Sequence, residues 1–368
     1  MTSAKDKRLK NGGILINTFK ERLGWGILGP GRIGRDFAKC LEYVPDAYVA
    51  AAGSRDPARS REFCRTFGGT AYGSYEELVQ DPNVDIIYVA VPHPMHESAV
   101  KLASDAGKAV LCEKPFAVNR AQAESMFDYA RRNGTFLMEG LWSRFFPAWR
   151  YVKELLESGE LGKIVNITSL TGWGHDPKVL AESDRLLDPN LAGGALLDGG
   201  VYSLAAMTVA MGRLEEPTEF YSTVKRASTG VDAESTMLMR FADGMTANLM
   251  CGLYRKEFET TIACENGIVV IPRHRNPDTV IVRSKPRVGY AQIEWEEEKV
   301  LKFPFACEGF QYEAQVVQQC VRDGLKTCPE VTPEETLYIA GLCDHVRRNA
   351  GFYYPFETPG PQGEGGRP

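Results

Sequence analysis

The 368-residue chain has no apolar run near the ~20 residues needed to span a bilayer. It also has no surplus of positive charge. Its formal net charge is −5, the wrong sign for a surface that neutralises phosphate backbones. The expectation is therefore neither a membrane protein nor a nucleic-acid binder. The nine cysteines contain no CxxC pair and no short framework spacing, and an odd count suits reduced, buried thiols better than disulfides. That usage points to a cytoplasmic compartment. Residues 1–21 start basic and hold only a brief apolar stretch, Ile14-Leu15-Ile16, with no small-residue cleavage site. They read as a flexible arm, and residues 356–368, rich in Gly and Pro, read as a disordered tail. No internal repeat is visible.

What is present divides in two. Single cores stop growing at roughly 250–300 residues, so a chain of this length is expected to form two domains. Over residues 22–145, short apolar runs alternate with amphipathic stretches, the signature of βαβ units and a parallel α/β sheet. The strands are expected at Gly24–Leu28, Tyr48–Gly53, Ile86–Ala90, Ala109–Cys112 and Phe136–Glu139. Helices are expected at Ile33–Leu41, Pro57–Phe67, His96–Ala106 and Arg120–Asn133. Residues 146–355 add a helix over Ala148–Glu157, then a β-rich region from Ile164 to Ile271 whose inward and outward residues alternate as in antiparallel strands. Helical patterns return at Gln311–Arg322 and Pro333–Arg348.

Gly29-Pro30-Gly31-Arg32-Ile33-Gly34 follows the first strand and opens the first helix, the context in which a glycine fingerprint indicates a dinucleotide site. Gly29 permits the tight turn, Gly31 lets the backbone approach a pyrophosphate, and Gly34 allows close helix–strand packing. The second strand ends in Ser54-Arg55-Asp56. An NAD enzyme usually places a carboxylate there against the ribose 2′-hydroxyl. Arg55, assisted by Arg59, is instead suited to a 2′-phosphate, which favours NADP, whereas an inward Asp56 would select NAD.

Lys114 leaves the strand Ala109–Cys112 and precedes Pro115, pointing into the crevice where open α/β sheets bind ligands. Proline restricts Lys114 to extended geometry, with a cis bond open to it. Asp198 and Tyr202 stand four residues apart, on one helix face. A lysine, a carboxylate and a phenol converging on one cleft form a proton-transfer set. In that set Lys114 is expected to lower the Tyr202 pKa from ~10 toward working pH. On pattern alone Asp198 also reads as a helix cap and Tyr202 as a packed aromatic.

The segments GPGRIG, CEKPF, EGLWSRFFPAW (Glu139–Trp149) and AGGALLDGGVY (Ala192–Tyr202) resemble the Gfo/Idh/MocA oxidoreductases, in particular their dihydrodiol dehydrogenase and D-xylose dehydrogenase branch. The resemblance implies a Rossmann domain joined to an α+β domain with a large, open, mostly antiparallel sheet whose outer face often makes a homodimer. It implies acid–base roles for Lys114 and Tyr202, with Asp198 beside them. Pro92-His93-Pro94-Met95-His96 matches a cofactor-side loop of the family, with Glu113 nearby, and His93 becomes a nicotinamide-side or substrate contact. A metal reading of His93 and His96 is weak, because no carboxylate or cysteine sits at ligand spacing. Trp142 is expected as an apolar wall, although core packing explains it too, and Arg144 as a hydrogen-bonding fork for a polyol. Trp173 and His175 end a second-domain strand near the substrate. The expected activity is hydride transfer between NADP and a cyclic polyol, either an aldose or a trans-dihydrodiol. A ketosugar or anhydrosugar reductase is the enzymatic alternative. A non-catalytic nucleotide-binding sensor is the alternative of another class.

Overall fold

The structure is a computed structural model, which describes residues 21–177, 179–182, 184–289 and 293–357. The expected arm up to residue 20 and tail from residue 358 lie outside the described residues. The chain begins β1 (Leu23–Leu28), α1 (Arg32–Leu41), β2 (Ala47–Gly53), α2 (Pro57–Phe67), β3 (Thr70–Tyr72), α3 (Tyr75–Val79) and β4 (Ile86–Val89). It continues α4 (His96–Asp105), β5 (Ala109–Glu113), α5 (Arg120–Asn133) and β6 (Leu137–Gly140). The strands form one parallel sheet in the order β3-β2-β1-β4-β5-β6. β1, β4, β5 and β6 are buried throughout, which is why they read as continuous apolar runs rather than alternating ones. The strand order reverses between β1 and β4, and a ligand crevice opens outside the carboxyl ends at that point.

After α6 (Pro147–Glu157) come β7 (Ile164–Gly172), α7 (Val201–Met211), β8 (Glu219–Arg226), β9 (Asp232–Arg240), β10 (Thr246–Gly252), β11 (Phe258–Cys264) and β12 (Gly267–Ile271). β13 (Thr279–Val288), β14 (Ile293–Lys302), α8 (Phe310–Arg322) and α9 (Pro333–Asn349) complete the described fold. The second sheet runs β14-β13-β12-β11-β7-β10-β9-β8. Its pairs are antiparallel except β7 with β10, which run parallel at its centre. The inner face, with Ile167, Met237, Ala247, Leu249, Ile262 and Val269, is buried, while Tyr221, Leu238 and Val300 stand exposed on the outer face.

One hydrophobic core runs from a face of the parallel sheet through α7 and α8 to the inner face of the second sheet, so the two layers are packed as one body around the crevice. The stretch Pro189–Met211 corrects the expectation about long apolar segments. It is long and apolar enough to cross a membrane, yet its 18-residue apolar window is buried throughout inside the protein. Burial from every side by α6, α9 and the second sheet accounts for that composition, since a helix that is apolar all round belongs in a core.

Candidate active site

The ends of β1, β4, β5 and β6 line one wall of the cleft, with the end of β2 beside them. After β1, Gly29 takes φ +95°, and a Cβ there would come within 2.7 Å of the Ala90 carbonyl oxygen. At Gly34 a Cβ would meet the Gly29 carbonyl at 2.8 Å, so only glycine lets α1 sit this close to its own turn. A Cβ at Gly31 would meet nothing within 4 Å, because Gly31 faces the open cleft. No side chain caps the amino end of α1 and no acid occupies its first turn. Free amide N–H groups at a helix start beside a bare glycine fit a pyrophosphate. Arg32 and Ile33 line the same end.

At the end of β2, the Ser54 hydroxyl accepts from the Asp56 amide at 3.2 Å. Asp56 caps α2, accepting from the Ala58 amide at 2.9 Å, so its carboxylate is engaged locally. Arg55 and Arg59 remain exposed beside it.

After β4, Pro92 is exposed and His93 buried. The His93 Nδ1–H donates to the Ala192 carbonyl at 3.1 Å, tying the first layer to the second. Burial and then the neighbouring His96 push the His93 imidazole down to about 3, so the ring is neutral across physiological pH. His96 departs from its expected cofactor role. Its ring nitrogens face the carbonyls of Val91 (2.9 Å), Pro115 (3.0 Å) and Phe116 (3.2 Å), and it is fully buried. The ring borders the cleft, but its polar atoms are used by the backbone at Val91 and just after Lys114.

After β5, Lys114 precedes a cis bond to Pro115. Its ammonium donates to the Asp198 main-chain carbonyl at 2.8 Å and lies 3.4 Å from Asp198 Oδ1. Arg185 closes on the same Oδ1 from the other side, with its two terminal nitrogens at 3.1 and 3.0 Å. Asp198 sits in a π-helical turn, Leu196–Gly200, where Val201 N bonds back to Leu196 O before α7 begins. Such turns are rare and cluster at functional sites. Burial opposes the Asp198 charge, but Lys114 and Arg185 outweigh it and hold the carboxyl far below its usual range. Burial likewise opposes the Lys114 charge, and Asp198, Tyr202 and Glu113 together keep the ammonium above its ordinary value. Glu113 accepts from the Lys114 amide at 3.1 Å and from the Tyr88 hydroxyl.

Tyr202 corrects an expectation. Its ring centroid is 5.0 Å from Lys114 Nζ, and the lysine does pull the phenol down, yet burial outweighs it and the net shift is upward. A desolvated site favours the neutral phenol more than one nearby cation favours the phenolate. Trp142 Nε1 donates to the Tyr202 oxygen at 2.8 Å, fixing its direction, while the indole stacks on Phe310 at 4.5 Å.

Arg144 is the other correction. Its guanidinium pairs with Glu335 of α9 and reaches Thr208 Oγ1 at 3.3 Å, away from the cleft. Trp142–Phe145 is a 3-10 turn, and at three residues per turn positions two apart cannot face the same side. With Trp142 on the cleft, Arg144 turns into the joint between layers.

Together Gly31, His93, Lys114, Trp142, Asp198 and Tyr202 surround a cavity of about 660 Å³, with Trp173 and His175 contributed from beyond β7. Arg185 and Arg275 also line it, and nothing in the sequence pattern marks either. Both lie in irregular segments, where neither periodicity nor spacing marks a functional side chain. Among the described residues no group of three or more His, Cys, Asp or Glu is placed to hold a metal.

A parallel sheet with a bare glycine turn at its switch point, facing a lysine, a carboxylate and a phenol, defines a dinucleotide-binding architecture closed by a second α/β layer. Two family descriptions match the chain: the Oxidoreductase family with NAD-binding Rossmann fold over residues 23–141, and the GFO/IDH/MocA C-terminal domain over 149–270. The chain is 34% identical over 337 residues to trans-1,2-dihydrobenzene-1,2-diol dehydrogenase of Mus musculus, covering 90% of this chain and 98% of the relative. The Homo sapiens protein of that name is 33% identical over 343 residues, with the same coverage. Among solved structures, a 3-ketoreductase from Actinomadura kijaniata in complex with NADP and TDP-benzene is 28% identical at a TM-score of 0.77, covering 89% of this chain and 97% of that one. An aldose-aldose oxidoreductase from Caulobacter crescentus, 23% identical at a TM-score of 0.77 over 90% of this chain and 98% of its own, shares the fold. The chain therefore belongs to the GFO/IDH/MocA oxidoreductase family, and it is an oxidoreductase acting on CH–OH groups.

Proposed function

We propose that the protein transfers hydride between NADP and a cyclic polyol, either an aldose of the D-xylose type or a trans-dihydrodiol, with Lys114, Tyr202 and Asp198 as its acid–base set. The observation that carries this reading is the convergence of those three groups in the cleft that Gly31 also lines. The relatives named as dihydrodiol dehydrogenases support the substrate class, and the NADP complex of the structural relative supports the cofactor.

The nicotinamide, when bound, supplies the hydride acceptor or donor. Every other part of the reaction falls to the chain. Lys114, cationic at neutral pH, holds the reacting oxygen and stabilises negative charge on it in a water-poor site. Tyr202 carries the proton, with Trp142 aiming its oxygen. Asp198 keeps Lys114 charged and in place. Because burial holds Tyr202 as the neutral phenol, the resting site is set to give a proton to a carbonyl rather than to take one from an alcohol. The kcat/KM for reduction is accordingly expected to stay flat from pH 5 to 8, while polyol oxidation accelerates into the alkaline range, in which the phenol ionises, ~10 and above. An oxidation profile that levels off below pH 8 would remove Tyr202 as the proton carrier.

Arg55 is proposed as the contact for the 2′-phosphate, since Asp56 is committed to its helix cap. Arg55→Ala should reduce the NADP over NAD preference about tenfold, the scale of one charge-assisted contact. Paired kinetics with the two cofactors measure it, and an unchanged ratio rejects the assignment. We further propose a homodimer through the outer face of the second sheet, where Tyr221, Leu238 and Val300 are exposed. The nine free thiols suit a reducing, cytoplasm-like compartment.

A further inference from the structure

Arg275 carries a charge that no described residue answers. It lies just beyond β12, lines the cleft, and makes neither a hydrogen bond nor an ion pair with any described residue. Its Nε is sealed from solvent without a partner. Other arginines are differently placed: the buried Arg144 and Arg347 are paired with Glu335 and Glu357, and the more exposed Arg185 and Arg255 with Asp198 and Glu234.

Three aromatic rings surround the Arg275 guanidinium, Trp173 at 5.1 Å, Phe258 at 5.3 Å and Trp142 at 5.8 Å. Cation–π contacts hold the guanidinium among the rings, but they satisfy none of the five guanidinium N–H donors. Trp173 also has Lys114 Nζ within 5.8 Å of its ring, so the two cations bracket a single indole. Lys114 and Arg185 already share one carboxylate, Asp198. Glu113 and Asp184 line the cleft as well, but neither pairs with Arg275, which leaves an unused planar fork one indole away from the reacting position.

A neutral polyol leaves that fork unmet. A carboxylate matches it in shape and charge, two parallel N–H···O bonds being the preferred geometry for guanidinium. The aromatic walls exclude water and strengthen such a pair, and they favour a monoanion over a more strongly hydrated phosphate dianion. We propose that Arg275 is a specificity-determining residue that binds a substrate carboxylate, so that the preferred substrates are sugar acids, polyhydroxy compounds carrying a carboxylate about one sugar length from the reacting carbon. This deepens, and rests on, the polyol oxidoreductase reading.

Binding tests it independently of turnover. The NADP-saturated full-length protein is titrated with D-glucuronate, D-galacturonate and D-gluconate, each against its neutral partner D-glucose, D-galactose or D-glucitol, and with glucose 6-phosphate. Quenching of tryptophan fluorescence reports occupancy, because Trp142 and Trp173 touch Arg275. At least one acid is expected to bind about tenfold or more tightly than its partner. Arg275→Gln should bring that acid down to its partner's affinity, with unchanged NADPH affinity as the control for folding. The proposal is overturned if no acid exceeds its partner, if the preference survives in Arg275→Gln, or if glucose 6-phosphate binds most tightly. NADP reduction with the same compounds separates the two ideas. Turnover of neutral sugars without any acid preference sinks the carboxylate proposal alone, whereas Arg275-dependent acid binding with no turnover of any polyol sinks the oxidoreductase substrate reading alone.

Discussion

Lys114→Met is expected to lower turnover by about a hundredfold or more while NADPH affinity changes little, the scale of a lost acid–base or electrostatic group. Methionine keeps much of the side-chain volume and removes the charge. Asp198 retains Arg185 at 3.0 Å, so the carboxylate is not stranded and the fold should persist. The loss should appear in kcat, because the role proposed for the ammonium is at the reacting oxygen rather than at the body of the cofactor. Stopped-flow single turnovers check it, and wild-type rates in Lys114→Met would exclude the lysine from the chemistry.

Asp198→Ala should be still more damaging to the protein as a whole. Lys114 and Asp198 have side chains only 12% and 4% exposed, and removing one partner of a buried pair leaves the other charge uncompensated at a cost of about 3 kcal/mol. With the carboxylate gone, Lys114 and Arg185 are left facing each other. Chemical denaturation should register the loss, accompanied by a fall in turnover as large as that of Lys114→Met. A double variant, Lys114→Met with Asp198→Asn, should be more stable than Asp198→Ala alone, because it has no buried charge left unpaired. Equal stability of the two would show that the pair is only weakly desolvated. The sign of the pH dependence follows from the same pair. Asp198 is held below its ordinary 3.8 and Lys114 above its ordinary 10.5. Their contribution is therefore complete between those values. It is lost as acid protonates Asp198 and, separately, as alkali deprotonates Lys114.

Much of the first layer was legible because its chemistry is local. α2 and α5 occupy the very residues the pattern indicated, since Asp56 and Asn119 are ordinary caps and the apolar stripe is regular. β3 and α3 escaped notice because three and five residues are too few to display a period. The β13–β14 hairpin was missed for a different reason. Its strands read as polar, with Pro286 and a run of glutamates, but across the ladder Arg283 meets Glu298 at 2.6 Å and Arg287 meets Glu296 at 3.1 Å. Charge complementarity between strands is a property of pairing, and no single strand displays it. Charged edges of this kind also discourage unwanted strand addition.

The sequence by itself determined the parallel sheet, the glycine turn and the residue types from which acid–base chemistry could be assembled, because each depends on neighbours a few positions apart. The tertiary structure decided which of those residues meet. It turned Arg144 into the interlayer joint, bound the His96 nitrogens to backbone, and brought Arg185 and Arg275 from irregular segments into the cleft. It also reversed the expected direction for Tyr202. A neighbouring lysine can be proposed from a motif, but the burial that outweighs it is a sum over everything packed around the ring, and only the folded chain supplies that sum.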